Sequence, residues 1–398
     1  MTMRNLLKGL LAFLLCVTFT ACWDNRELTD IAFVVALGID KGEHFPYRVT
    51  IQIVNPSNAN SSQKLDSKES EVTHSYSEEG NNIFEANRRI SKTLSRQLHY
   101  GHAMVLVVGE ELAKTEGLYQ LFDGVERDNE FRPSADFIIA KGTTAEDLLR
   151  VPAELDKIPA AKIKKLLQET EETWGENLDV KVNQVIRYLM SAGSEPVVTG
   201  FKIGRQGGYE LLVADGMGLI RDGKLVHWLE DKYSRGVLWV KGKIKSTLIN
   251  IDWKGQKNAV GIEIVRMYSK MSSRIVGGKP VIDVYIGAEG NVGELRVPIN
   301  LSNPNLIFEM QRNLEKAILK EAQATIAAVQ KESTDIFSFG EVVHRSQPKV
   351  WKQLKDNWNK VTFPRLEVHV KVEAYIRRMG LRNESILRDI HSGDQVPH

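Results

Sequence analysis

Cys22 is the residue whose surroundings most clearly specify a chemical modification. Two basic side chains precede an apolar run over residues 9–21, and the small residues Thr20 and Ala21 come directly before the cysteine. This is the pattern of a lipoprotein signal, in which a peptidase cuts before the cysteine and acyl chains are attached to it. The run is shorter than the ~20 apolar residues that cross a bilayer, so a cleaved export signal is favoured over a transmembrane helix.

We therefore predict that residues 1–21 are a signal peptide and that Cys22 becomes a lipidated N-terminus. Stable anchoring takes about two acyl chains, which would place the protein on the outer face of a membrane. Phe19 is bulkier than the leucine usual at its position, and an ordinary secretory signal with an incidental cysteine remains the alternative. Cys16 competes poorly, because the bulky Leu15 precedes it.

Other reactive residue types do not form a convincing site. His99 and His102 have the spacing of half a metal site, but they lie across a predicted helix-to-strand junction, and we interpret them as structural. Glu171 and Glu172 diverge at adjacent helical positions, which favours solvated side chains over acid–base chemistry. The chain has no G-x-S-x-G, H-E-x-x-H or Walker motif. We expect no catalytic residue, metal or cofactor. Among the candidate functions, an envelope hydrolase is therefore the least favoured.

Charge and cysteine content exclude further classes. The chain has 53 basic and 51 acidic side chains, and the signal peptide contains two basic residues, Arg4 and Lys8, and no acidic one. The mature chain is thus formally neutral, which argues against nucleic-acid binding. With Cys22 as the sole mature cysteine, an intramolecular disulfide or a zinc site of paired cysteines is impossible.

The pattern of the first half predicts a mixed sheet with helices. Residues 31–37 form an unbroken apolar run typical of a strand buried on both faces, and residues 47–53 alternate as in a half-buried strand. Residues 55–71 are rich in Ser, Asn and Lys and are predicted to be a mobile loop. Helical patterns then alternate with short apolar runs as far as residue 193.

One predicted helix, residues 82–98, carries a basic side. Arg88, Arg89, Lys92 and Arg96 lie away from its apolar face. This side could face anionic lipid, but a solvated surface is the more common explanation and the one we favour.

The second half has a different composition. Residues 194–196 break the helical pattern and are predicted as a domain boundary, after which glycine-separated β-rich runs to residue 297 indicate an antiparallel meander. Pro304 opens the longest predicted helix, to about Glu332, which should pack across the meander. Residues 366–376 alternate strictly, as in a strand.

The predicted fold class is therefore α+β with several domains. An N-terminal domain, residues 22–195, contains the mixed sheet with its helices. A C-terminal domain, residues 196–380, contains the antiparallel meander packed by the long helix. Residues 381–398 are polar and predicted to be a mobile tail.

Three stretches together resemble the Ger(x)C spore-germination lipoproteins, the C subunits of nutrient germinant receptors in endospore formers. The first comprises residues 21–28 and 36–40, and the second residues 100–102 and 109–113. The third comprises the following positions: Asp335, Phe339, Gly340, Pro348, Trp351 and Trp358. The resemblance covers nearly the whole mature chain, although the extension after Arg382 looks longer than usual.

The resemblance implies a non-catalytic subunit on the outer face of the spore inner membrane. It also implies assembly with two polytopic membrane subunits, one of them transporter-like, and a role in nutrient-triggered spore germination. Cys22 carries over as the lipidated residue. A lipid-anchored solute-binding protein of a transporter is the alternative function, although such proteins usually have two α/β lobes.

Overall fold

The structure of the protein is a computed structural model. It describes residues 3, 5, 30–54, 72–127, 131–153 and 156–378. The signal peptide, the loop 55–71 and the tail 381–398 thus lie almost entirely outside the described residues.

Nine strands form the first sheet. They are β1 (Ile31–Lys41), β2 (Tyr47–Val54), β3 (Thr73–Gly80), β4 (Gln97–His99), β5 (Val105–Gly109), β6 (Asp136–Ala140), β7 (Val197–Gln206), β8 (Tyr209–Arg221) and β9 (Lys224–Leu229). Their order is β3-β2-β1-β5-β6-β7-β8-β9, with β4 also paired to β1. The four central strands β1, β5, β6 and β7 are parallel and the outer pairs are antiparallel, so the predicted mixed sheet is confirmed.

Six helices cover this sheet on both faces. They are α1 (Ile83–Ile90), α2 (Glu110–Thr115), α3 (Tyr119–Glu126), α4 (Ala145–Arg150), α5 (Pro159–Thr173) and α6 (Val182–Met190). Leu106 and Val108 of β5 pack into one core with α2 and α3, whereas Val105 and Val107 pack into the other with α4 and α5. Burial on both faces explains why the central strands are continuous apolar runs rather than alternating ones.

The second sheet is smaller and follows the helix α7 (Lys232–Lys241). Its order is β10-β11-β12-β13, with β10 (Thr247–Trp253), β11 (Gln256–Val276), β12 (Lys279–Leu295) and β13 (Glu367–Arg378). The predicted long helix is confirmed as α8 (Pro304–Lys331), capped by Asn303, and its stripe Met310, Leu314 and Ile318 is buried. α8 is the crossover that makes β13 parallel to β12.

The remaining helices lie between α8 and β13. They are α9 (Phe339–Ser346) and α10 (Pro348–Leu354), followed by a 3₁₀ turn (Lys355–Asn357), a π turn (Trp358–Thr362) and a second 3₁₀ turn (Phe363–Arg365).

Three local details differ from the sequence prediction. The helix predicted over residues 82–98 ends at Ile90, because residues 97–99 pair with β1 as β4. Strand β3 was not predicted, since its sequence is almost entirely polar. The predicted meander divides between the sheets: β7 to β9 extend the first sheet, and β10 to β12 form the second. The predicted boundary at residue 195 falls between α6 and β7 and stays a prediction.

Candidate functional site

Cys22, the predicted lipid-attachment residue, lies outside the described residues. The described chain continues from Asp30, and Ile31 is the first residue of β1. The site that the structure does describe is built by the motif residues in the second half of the chain.

Asp335 organises this site. Its Oδ1 accepts hydrogen bonds from the backbone N–H groups of Phe337 at 3.2 Å and Phe339 at 3.1 Å. Its Oδ2 accepts from the backbone N–H of Gly340 and from the indole Nε1–H of Trp358, each at 2.8 Å. The carboxylate thus binds N–H groups at the start of α9 and fixes the turn that leads into it. Burial raises the pKa of Asp335 to about 6 in spite of these donors.

Glu195 connects the same site to the end of the predicted N-terminal domain. Its backbone N–H donates to the carbonyl oxygen of Asp335 at 2.8 Å, and its Oε1 accepts from Asn359 Nδ2 at 2.8 Å. The hydroxyls of the neighbouring Ser194 and of Ser338 are 2.6 Å apart. Burial raises the pKa of Glu195 to about 7. Residues that are 140 or more positions apart in the chain therefore share one hydrogen-bond network, which we call the junction.

Two glycines bring the backbones of the junction into contact. A Cβ on Gly193 would lie 2.9 Å from Gly340 Cα and 2.3 Å from Trp351 Cη2. Gly193 also has a φ of +82°, which favours glycine. The Trp351 ring packs edge-on against Trp358, with centroids 5.2 Å apart. The aromatic residues of the third motif are thus packed core side chains, as their helical spacing predicted.

A half-buried cation lies next to the junction. Lys241 Nζ donates to the carbonyl oxygen of Ile336 at 2.5 Å and lies 5.2 Å from the ring centroid of Tyr188. Burial lowers the pKa of Lys241 to about 8. A polar cleft of about 280 Å³, lined in part by Glu195, Asp222 and Asn359, opens at the junction. Glu195 and Asn359 are hydrogen-bonded to each other there, and this bond helps to fix the two halves of the chain relative to each other.

The first motif is also structural. Asp40 accepts from the backbone N–H groups of Ala145 at 2.8 Å and Glu146 at 3.0 Å, at the start of α4. Gly109 permits this contact, because a Cβ there would lie 2.1 Å from Asp40 Oδ1. Gly38 is crowded by Ala145, whose Cβ would be 3.1 Å from an added Cβ. Burial raises the pKa of Asp40 to about 6.

The second motif contributes two histidines and an apolar pocket. The rings of His99 and His102 have centroids 5.7 Å apart, and both pack edge-on against Phe33. Within the described ranges, no group of three or more His, Cys, Asp or Glu side chains could hold a metal ion. Tyr100 lines a pocket of about 380 Å³ between α1, α3 and the first sheet. Phe84 lines the same pocket and is 64% exposed.

The family resemblance contains Asp335, Gly340 and Trp358 as motif residues but implies a role only for Cys22. The sequence gives no sign of Glu195, Lys241 or Asn359 as site residues, because Glu195 stands at a predicted helix-breaking boundary and neither of the others stands in a motif. No helix in the part of the chain that the structure describes is long and apolar enough to span a bilayer.

Two families match the chain. One is described as the spore germination protein N-terminal domain and matches residues 24–203, and the other as spore germination B3/GerAC like, C-terminal, and matches residues 215–380. Together they cover most of the sequence.

Curated relatives and a solved structure agree with these matches. Spore germination protein KC of Bacillus subtilis (strain 168) is 35% identical over 398 residues, covering 96% of this chain and 98% of its own length. Spore germination protein B3 of the same organism is 22% identical, covering 90% of this chain and 94% of its own. The crystal structure of the GerBC protein matches with a TM-score of 0.52 at 19% identity, over 85% of this chain and 96% of that one. This last match supports the same α+β fold.

Proposed function

Because the chain belongs to the spore germination B3/GerAC-like family, we propose that it is a non-catalytic, lipid-anchored subunit of a spore nutrient germinant receptor. One observation carries this proposal: the 35% identity to spore germination protein KC extends over 96% of the chain. In the proposed assembly the protein contacts two polytopic membrane subunits, one of them transporter-like, on the outer face of the spore inner membrane.

The anchor supplies the physical role of Cys22 in this proposal. Two acyl chains confine the folded body to the membrane surface, so its contacts with membrane subunits form at high effective concentration. Tethering of this kind strengthens assembly by roughly 100-fold or more without any new contact. The junction keeps the two halves of the body in one orientation while they make those contacts.

Cys22→Ala is the direct test. In spores that lack other germinant receptors, we expect this variant to fold but to respond weakly to nutrients, because it leaves the membrane. Cys16→Ala is the matched control, since this cysteine lies within the predicted signal peptide and should leave lipidation intact. Normal germination of the Cys22→Ala spores, or an intact mass showing an unmodified Cys22 in the wild-type protein, would count against the proposal.

The predicted partners need a separate experiment. The tagged protein is purified from gently solubilised spore membranes, and co-purifying proteins are identified by mass spectrometry. We expect two polytopic proteins, one of transporter type. Recovery of an ABC permease, or of no membrane protein, would contradict the receptor assignment.

A further inference from the structure

The beginning of β1 is close to Cys22 in the sequence. The Cα of Ile31 pairs with that of Gln97 in β4, so Arg96 lies directly beside the point where the chain enters the sheet. Cys22 is nine residues before Ile31. Even fully extended, nine residues span only about 30 Å. A lipid on Cys22 would therefore hold the beginning of β1 near the membrane surface.

A row of exposed side chains runs along α1 toward the beginning of β1. Phe84 and Arg88 are one helical turn apart, Lys92 follows four residues later in the turn after α1, and Arg96 precedes β4. The Arg88 guanidinium carbon lies 4.5 Å from the centroid of the Phe84 ring. We call these four residues, Phe84, Arg88, Lys92 and Arg96, the basic row.

The cations of the basic row have no acidic partner in the described part of the chain. Arg88, Lys92 and Arg96 take part in no ion pair among the residues that the structure describes, and the one acidic side chain of α1, Glu85, is bonded to Arg89 at 2.6 Å. Other exposed cations of the described chain, such as Lys257, Lys316 and Lys320, are likewise in no ion pair, so the exposed Phe84 ring and the position beside the start of β1 are what set the basic row apart. Three unpaired cations and an exposed phenyl ring near the start of β1 match the chemistry of a lipid interface, where anionic headgroups lie above acyl chains.

We propose that the basic row lies against the anionic phospholipid headgroups of the membrane, with Phe84 at the level of the interface. This proposal adds an orientation to the anchoring proposed above and rests on it. Each Lys or Arg near an anionic membrane strengthens binding about fivefold, so the three cations together should contribute about 100-fold, and less at high salt.

The test uses the full mature chain, residues 22–398, carrying Cys22→Ala, so that no acyl chain contributes. Co-sedimentation is measured with vesicles of phosphatidylcholine alone and of phosphatidylcholine with 30% phosphatidylglycerol. Arg88→Gln, Lys92→Gln and Arg96→Gln are combined in one variant. The matched control combines Lys257→Gln, Lys316→Gln and Lys320→Gln, which remove the same charge from exposed positions of the second half. Circular dichroism checks that both variants are folded.

We expect salt-sensitive binding to the anionic vesicles, about 100-fold weaker for the basic-row variant and nearly unchanged for the control. Equal loss in both variants would overturn the proposal, because net charge alone would then explain binding. Equal binding to both kinds of vesicle, or none at low salt, would also overturn it and assign the basic row to a protein partner or to solvent. Because the chain tested carries no lipid, these outcomes are independent of whether Cys22 is acylated, which intact-mass analysis decides separately.

Discussion

Glu195→Gln should stabilise the protein at high pH and leave it unchanged at low pH. Glu195 is only 7% exposed, and its Oε1 accepts the Asn359 amide at 2.8 Å. Glutamine has the same shape and keeps an oxygen at that position. The substitution therefore removes the buried charge and preserves the main hydrogen bond.

The expected size follows from the effect of burial on the carboxyl group. Burial raises the pKa of Glu195 from 4.5 to about 7, and one pKa unit corresponds to about 1.4 kcal/mol, so the ionised form is disfavoured by roughly 3 kcal/mol. The folded pKa of about 7 already includes the hydrogen bonds of the ionised carboxylate, so no separate correction for the Asn359 bond is needed. We thus expect the variant to gain about 3 kcal/mol of unfolding free energy relative to wild type at pH 8.

The sign of the pH dependence is also fixed. Between pH 4.5 and 7 the folded protein keeps a proton on Glu195 that the unfolded chain releases, so the wild-type free energy of unfolding falls as pH rises. The unfolding free energy of the variant lacks this pH-dependent contribution from Glu195. Urea unfolding of wild type and variant at pH 4.5 and pH 8 measures the contribution, with the exposed Glu294→Gln as control. The reasoning is refuted if the gain in unfolding free energy of Glu195→Gln over wild type is no larger at pH 8 than at pH 4.5.

Two further substitutions test the junction by urea unfolding. Gly193→Ala should lower the free energy of unfolding by more than ~3 kcal/mol, because its Cβ would lie 2.3 Å from Trp351 Cη2. The control Gly277→Ala, with a φ of +55° and no atom within 4 Å, should lower it by only ~1–2 kcal/mol. Similar losses in the two variants would contradict the packing argument. Asp335→Asn should lower the free energy of unfolding by about 3 kcal/mol, because its amide N–H₂ would face N–H donors. The exposed control Asp123→Asn should lower it by less than ~0.5 kcal/mol. The reverse order would show that the Asp335 carboxylate is not needed for stability.

The sequence predicted those features that local patterns determine. The double-sided burial of β1 and the buried stripe of α8 follow directly from their apolar spacing. Strand β3 has a polar sequence and forms at the edge of the sheet because β2 offers it backbone partners. Leu98 continued the apolar face of the predicted helix, but pairing with Ala32 in β1 places it in β4.

The junction could not be predicted from sequence for a different reason. Its motif residues Asp335 and Trp358 were identified through the family resemblance, but that resemblance does not say what they contact. The bonds of Glu195 to Asp335 and Asn359 join positions far apart in the chain. Such pairs depend on the tertiary fold, and one sequence contains no local signal for them.

The strand order of the first sheet determines when each strand can pair with its neighbours as the chain is synthesised. β6 gains its second neighbour only when β7 has been made, and the sheet is complete only when the chain has reached Leu229. The bond from Trp358 to Asp335 forms later still. If Cys22 is acylated as proposed, the point of membrane attachment is made first, and the junction residues Asp335 and Trp358 are made only after the first sheet is complete.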